Sequence, residues 1–90
     1  MRMRKKKNLV PRMERCSAVL ITDPFAQRGQ WRTQFQTDGE LHVELGCGKG
    51  RFTAETAQQN PGISFVAIER VPDAMVMAME RVCAMGLQNV

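Results

Sequence analysis

Three glycines at alternate positions follow an acidic residue in the segment 41-LHVELGCGKG-50. The acidic residue is Glu44, and the glycines are Gly46, Gly48 and Gly50. Glycines in such a turn let the backbone bend sharply and approach a ligand closely. The free N–H groups and positive end of a following helix then favour a small anion. A second acidic residue, Glu69, lies 19 residues after Gly50. Sheets that bind nucleotides place an acceptor for ribose hydroxyls at about this spacing.

The glycine spacing does not match two common phosphate-binding motifs. The dinucleotide fingerprint GxGxxG needs Gly or Ala at its last position, where its two registers have Arg51 and Thr53. The P-loop pattern GxxxxGK[ST] fits no register. Glu44 would also repel a pyrophosphate, whereas it would attract an ammonium group. S-adenosylmethionine has the required groups: its ribose suits Glu69, its carboxylate suits the turn N–H groups, and its amino group suits Glu44 or a water bound there.

The elements that would position these residues are predicted by periodicity. Leu41, Val43 and Leu45 alternate with polar residues as in a strand that ends at the glycines. The segments 51–59, 64–68 and 72–85 are typical of a helix, a buried strand and a second helix, with residues 88–90 approaching another strand. The second helix is expected to bury Met75, Ala78, Met79 and Val82 and to end at Gly86. This order predicts the first β-α-β-α half of a Rossmann-like, doubly wound, mostly parallel α/β sheet.

The N-terminal region differs in composition from the rest of the chain. Residues 1–16 contain seven basic residues and one acidic residue, whereas residues 17–90 contain six basic and eight acidic residues. This asymmetry favours a polyanionic partner, nucleic acid before membrane. Pro11 is expected to open a short helix through residues 12–19. We therefore divide the chain into a basic N-terminal arm, residues 1–22, and a domain portion, residues 23–90.

Several classes of protein are disfavoured by composition. The three cysteines have no CxxC spacing, so neither a disulfide framework nor a structural zinc site is expected. The apolar run 18-AVLI-21 is too short for a signal peptide, and no run approaches the roughly 18 apolar residues of a membrane span. We expect a soluble cytoplasmic protein with no metal and no membrane partner.

The motifs also resemble those of a known family. The run 43-VELGCGKG-50 followed by 66-VAIER-70 is similar to motifs I and II of the class I S-adenosylmethionine-dependent methyltransferases. Together with 2-RMRKKKN-8, 29-GQW-31 and 60-NPGISFVAIE-69, it resembles the N-terminal part of bacterial tRNA (guanine-N7-)-methyltransferases. The resemblance covers essentially all 90 residues but less than half of a family member. The chain is therefore expected to be a truncated piece of a class I methyltransferase domain.

The resemblance implies methyl transfer from S-adenosylmethionine to N7 of a guanine in the tRNA variable loop. The family's residues that match Glu44 and Glu69 contact the cofactor, and the motif glycines are carried over with them. The residues that hold the guanine lie past Val90 in the family, so no catalytic residue is expected here and the chain alone is expected to be inactive. Family members are monomers or homodimers. The predicted tRNA contacts are Arg2, Arg4, Lys5, Lys6 and Lys7.

Other interpretations stay open at this point. One alternative is another class I methyltransferase, which acts on a small molecule or a protein. Another alternative is a non-enzymatic nucleic-acid-binding fragment. The glycine turn could be purely structural, Glu44 a surface or capping acid, and Glu69 a partner of Arg70 or a helix cap. His42 and Cys47 are more typical of packing than of catalysis. The arm could be a solvated tail or resemble a nuclear-localisation signal.

Overall fold

The computed structural model describes residues 5–35 and 38–90. It contains three α-helices and two β-strands, with three short 3₁₀ turns between the first helix and the first strand. The elements are α1 (Leu9–Arg15), the 3₁₀ turns (Ser17–Val19, Pro24–Gln27 and Trp31–Gln34), β1 (Leu41–Leu45), α2 (Arg51–Gln59), β2 (Ser64–Ile68) and α3 (Pro72–Ala84). The four elements after residue 40 have the predicted order and nearly the predicted bounds, which confirms the α/β class.

The two strands form a parallel pair. Their register runs from Leu41 opposite Ser64 to Leu45 opposite Ile68. The pairing continues past the end of β1, because the Gly46 N–H donates to the Ile68 carbonyl at 2.7 Å. The carboxyl ends of parallel strands meet at one edge of a sheet. The turn after β1 and the residue after β2 therefore lie side by side.

The end of the described chain lies along the opposite edge of β2. The Phe65 N–H donates to the Asn89 carbonyl at 2.7 Å, and successive residues of a strand direct their backbone groups to alternate edges. The buried Asn89 side chain fixes this position, since its Nδ2 lies within 3.1 Å of the carbonyl oxygens of Ala57, Asn60 and Ile63. These carbonyls belong to the end of α2 and the following turn, where a helix leaves acceptors unpaired. The predicted approach to another strand is thus found beside β2.

Helix α3 provides much of the buried core. Its buried residues are Ala74, Val76, Ala78, Met79 and Val82. The prediction was wrong for Met75, which is half-buried and lines a cavity, while the neighbouring Val76 is fully buried. Helix α3 packs against both α1 and α2, so its buried stripe is wider than the predicted one. Gly86 ends the helix as predicted, with the Leu87 N–H donating back to the Val82 carbonyl at 3.2 Å.

The first helix begins earlier than the sequence indicates. It starts at Leu9 and ends at Arg15, so Pro11 lies inside the first turn, where its missing N–H would have had no partner. Tertiary contacts explain this placement. The Arg12 guanidinium forms two hydrogen bonds with the Glu80 carboxylate, at 2.9 and 2.5 Å, and the Lys6 backbone N–H donates to Asp73 at 2.6 Å. From Lys6 onward the basic arm is therefore held along α3.

One face of the sheet is apolar and exposed in the described part of the chain. Val43, Leu45 and Ile68 point to this face, and their exposed fractions are 59%, 78% and 48%. Leu45 and Ile68 are opposite each other in the register, so they form a continuous patch. The other face carries the buried Phe65, which belongs to the core.

Candidate functional site

The turn after β1 has the backbone conformation that only glycine adopts easily. Gly46, Gly48 and Gly50 have φ angles of +72°, +58° and +76°. A Cβ atom added to Gly46 or Gly48 would find no described atom within 4 Å, so the backbone there borders open space. A Cβ on Gly50 would lie 2.6 Å from Ala78 Cβ. The first two glycines thus leave room beside the turn, whereas Gly50 allows α3 to pack directly against it.

Glu69 fastens this turn, residues 46–50, to the second strand. Its Oε1 accepts the Gly48 N–H at 2.8 Å, and its Oε2 accepts the Val71 N–H at 3.0 Å. The hydrogen bonds from Val71 and Gly48 hold the pKa of the Glu69 carboxyl below its usual value. Glu69 therefore contacts the glycine turn, and its carboxylate also joins the turn to the start of α3.

Glu44 has a partner that the sequence motif did not indicate. The Thr53 hydroxyl, in the first turn of α2, donates to Glu44 Oε2. Thr53 is 2% exposed and Glu44 is half-buried. In the sequence, Thr53 served only to exclude a dinucleotide motif. The signal that could have identified it is its place in the first helical turn after the glycines, within reach of Glu44 at the end of β1.

Cys47 lies in the glycine turn, near both acidic residues. Burial, together with the negative charges of Glu69 and Glu44, raises the pKa of its thiol to about 11. Its Sγ donates to the Gly48 carbonyl at 3.8 Å. Both carboxylates therefore lie close enough to Cys47 to act on its charge, and the thiol stays neutral at pH 7. The neutral thiol agrees with a packing role for Cys47. The negative charges of the two carboxylates make the turn suitable for a cationic ligand group.

His42 also has a packing environment. Its ring contacts Phe65 edge-on, with centroids 5.5 Å apart, and its Nε2 lies 3.0 Å from Glu40 Oε2. The side chain is exposed, on the first residues of the strand, away from the turn. These contacts agree with the interpretation of His42 as a packing residue of the sheet.

A cavity of about 360 Å³ adjoins the site. Cys47, Thr53 and Glu69 contribute to its wall from the site, and Trp31 and Met75 contribute from the 3₁₀ region and α3. Trp31 is half-buried there. Phe35 also lines this cavity.

The predicted nucleic-acid contacts are only partly described. Arg2 and Arg4 lie outside the described residues. Lys5 and Lys7 are exposed, while Lys6 is half-buried beside Asp73. Asp73 lies four residues after Glu69, in the first turn of α3, so the arm reaches the edge of the sheet where the site lies.

Over residues 5–35 and 38–90, no helix combines the length and apolar character needed to cross a membrane. In the same described residues, His, Cys, Asp and Glu side chains do not come together in groups of three or more that could hold a metal ion.

Comparison with known proteins agrees with the geometry. A family model described as "Putative methyltransferase" matches residues 38–90. Three similar proteins are named tRNA (guanine-N(7)-)-methyltransferase: one from Geobacillus kaustophilus (39% identical), one from Clostridium tetani (36%) and one from Clostridium acetobutylicum (37%). Each alignment covers all of this chain and 42% of the relative. The chain thus spans less than half the length of the curated relatives it matches.

Proposed function

The chain belongs to the methyltransferase family whose model matches residues 38–90, and we propose that it forms part of an S-adenosylmethionine-dependent enzyme that methylates N7 of a guanine in the variable loop of tRNA. The family resemblance inferred from the sequence is thereby confirmed. The relatives named above support tRNA as the substrate class. The observation that carries the proposal is the convergence of Glu44, Glu69 and the open glycine turn at one edge of the sheet.

The residues present fit the proposed cofactor. Each Glu69 oxygen accepts one backbone N–H and retains a second lone pair, so two ribose hydroxyls can still donate to the carboxylate. Glu44 has one oxygen bonded to Thr53, which leaves Oε1 to accept an ammonium group directly or through water. The open space beside Gly46 and Gly48 admits the amino-acid portion of the ligand next to the backbone. The first N–H groups of α2 have no partner within their own helix and suit a carboxylate.

The proposed reaction asks for positioning more than for acid–base catalysis. Guanine N7 has an in-plane lone pair and carries no proton that must be removed. S-adenosylmethionine supplies a methyl group on a positively charged sulfur, which is already electrophilic. The residues described here would hold the donor in a fixed place and exclude water from it. We assign no catalytic residue within the chain, and we propose that the 90 residues alone do not catalyse the reaction.

The cofactor is tested by a thermal-shift comparison of the full-length protein with S-adenosylhomocysteine and with NAD. We expect stabilisation by S-adenosylhomocysteine, because mass action favours the folded state that binds the ligand. Stabilisation by NAD alone would contradict the proposal.

The substrate is tested by incubating the full-length protein with unmodified tRNA and methyl-labelled cofactor. The expected product is 7-methylguanosine. Label in another base, in a small molecule or in protein would instead identify a different class I methyltransferase. Binding of tRNA with no transfer and no cofactor binding would favour a non-enzymatic nucleic-acid-binding protein.

A further inference from the structure

Thr53 is the buried partner of the acidic residue at the start of the glycine motif. Its hydroxyl donates to Glu44 Oε2, and its residue is 2% exposed. We infer that Thr53 is a positioning residue, which orients the Glu44 carboxylate so that Oε1 faces the ammonium group of the methyl donor. This inference rests on the proposed function and adds a residue that the motif does not contain.

The local structure explains why this task would fall to Thr53. Helix α2 begins directly after Gly50, which has no side chain to cap it or to reach back to β1. Thr53 is the third helical residue and lies in the first turn, beside the end of β1. Its branched side chain has few rotamers in a helix, so the hydroxyl has a defined direction. A hydroxyl can donate one hydrogen bond, and here a carboxylate oxygen accepts it.

The direction of the hydrogen bond affects what Glu44 can offer a ligand. A free glutamate side chain samples several rotamers, and an ammonium ligand would have to select one of them on binding. With Oε2 held by a buried donor on a helix, the carboxylate is arranged before the ligand arrives. The carboxylate lies near the turn, because its negative charge raises the pKa of the Cys47 thiol.

A simpler explanation is that Glu44 only satisfies a buried hydroxyl. The two explanations differ in which ligand they affect. If Thr53 acts through Glu44 on the ammonium group, its loss weakens ligands that carry an amino acid and spares those that lack one. If Thr53 only maintains the fold of the turn, its loss weakens both kinds of ligand.

The experiment measures the affinity of the full-length protein for S-adenosylhomocysteine and for 5′-methylthioadenosine, which shares the nucleoside but lacks the amino-acid portion. We expect Thr53→Val to weaken S-adenosylhomocysteine by about three- to tenfold, the scale of one net hydrogen bond, without changing the affinity for methylthioadenosine. Thr53→Ser keeps the hydroxyl and is expected to restore the affinity. Thr56→Val, one turn further along α2, is the matched control and is expected to have no effect.

A double-mutant cycle separates this inference from the proposed function. In a Glu44→Gln background, Thr53→Val is expected to have little further effect, because the group that it positions has changed. Equal losses for both ligands, or a full additional loss in the Glu44→Gln background, would overturn the inference. So would a normal affinity of Thr53→Val when Glu44→Gln alone weakens S-adenosylhomocysteine, although the proposed function would then stand. A wild-type protein that binds neither ligand would overturn the proposed function itself.

Discussion

Each oxygen of the Glu69 carboxylate accepts a backbone N–H, one from the glycine turn and one from the residue before α3. The sequence left two interpretations of Glu69 open, a ribose acceptor and a local cap. The geometry allows both at once, because a carboxylate has about four acceptor positions and two are used here. A substitution at this position therefore changes the shape of the empty site as well as its contacts with a ligand.

We predict that Glu69→Ala weakens the affinity for S-adenosylhomocysteine by about 1–3 kcal/mol, the cost of leaving hydrogen-bonding groups without partners. It should also lower the melting temperature of the ligand-free protein, because the Gly48 and Val71 N–H groups lose their acceptor. Calorimetric titration and thermal unfolding measure the two effects. Glu55→Ala is the control, since Glu55 is an exposed acid paired with Arg51 on the outside of α2. An unchanged affinity with a lowered melting temperature would show that Glu69 is structural only.

The same carboxyl makes stability depend on pH in acid. Because the folded state lowers the pKa of Glu69, its contribution to stability is present above the unfolded pKa, about 4.3 for glutamate. That contribution is lost as the pH falls from there through the lower pKa of the folded state. We expect the stability difference between wild type and Glu69→Gln to be constant near neutral pH and to shrink below about pH 4. Urea unfolding at pH 7, 5, 4 and 3 measures it. A difference that stays the same at pH 3 would contradict the prediction.

Cys47 is predicted to be chemically inert despite its place inside the motif. With a pKa of about 11, only about one thiol in ten thousand is ionised at pH 7, and the thiolate is the reactive form. We expect Cys47→Ala to retain methyl transfer and cofactor affinity close to those of the wild type. Mass-spectrometric mapping of iodoacetamide adducts should show Cys47 unmodified when the exposed Cys83 is alkylated. Rapid alkylation of Cys47 in the folded protein would contradict the assignment of its environment.

Packing between elements gives Gly50 a different task from the other motif glycines. A Cβ at this position would meet both the Cβ and the Cα of Ala78, the latter at 2.8 Å. We predict that Gly50→Ala destabilises the full-length protein by about 2–4 kcal/mol, from overpacking together with the positive φ angle. Chemical denaturation measures the change. Gly62→Ala is the control, because no described atom lies within 4 Å of its added Cβ and its φ angle is not positive. Equal stability of the two variants would refute this packing role.

The basic arm is held on α3 by groups that are not available to phosphates. Arg12 is paired with Glu80, whose pKa is lowered by that guanidinium. Lys5 and Lys7 are exposed and unlike Arg12 can face a nucleic acid. We predict that deleting residues 2–7 makes the tRNA affinity depend less on salt. The slope of log affinity against log salt concentration should become shallower by up to about 0.7–0.9 for each lost phosphate contact. Affinity for S-adenosylhomocysteine should be unchanged. Arg28→Ala is the control, because it removes an exposed charge outside the arm. An equal effect of this substitution would show that the arm has no specific role in tRNA binding.

The elements after residue 40 were predictable because their signals are local. Alternating apolar residues, the glycines after Leu45 and the Pro72 and Gly86 boundaries each act within a few residues. The start of α1, the burial of Val76 and the partner of Glu44 were not predictable in the same way. The first two depend on contacts between distant segments, Arg12 with Glu80 and α3 with both α1 and α2. The third depends on how α2 folds back after the glycines, which brings Thr53 to Glu44. Pattern alone carries no information on such pairings.

For the whole molecule, the sheet has one apolar face that described residues leave exposed, formed by Val43, Leu45 and Ile68. Parallel sheets are normally covered on both faces. The curated relatives are more than twice as long as this chain, since it matches 42% of each. A face of this kind would expose apolar surface whenever residues 1–90 are isolated, and such surface promotes association.

The last prediction concerns this face in a protein made of residues 1–90 alone. We expect it to bind a hydrophobic dye and to self-associate, and we expect Val43→Thr with Leu45→Thr to reduce both, because threonine keeps the strand geometry while replacing apolar surface. Phe25→Ser is the matched control, since Phe25 and Leu45 are both 78% exposed but Phe25 lies on a 3₁₀ turn outside the sheet. Dye fluorescence and sedimentation velocity measure the two properties. If Phe25→Ser reduces them as much as the strand substitutions, association arises from scattered apolar residues rather than from the sheet face.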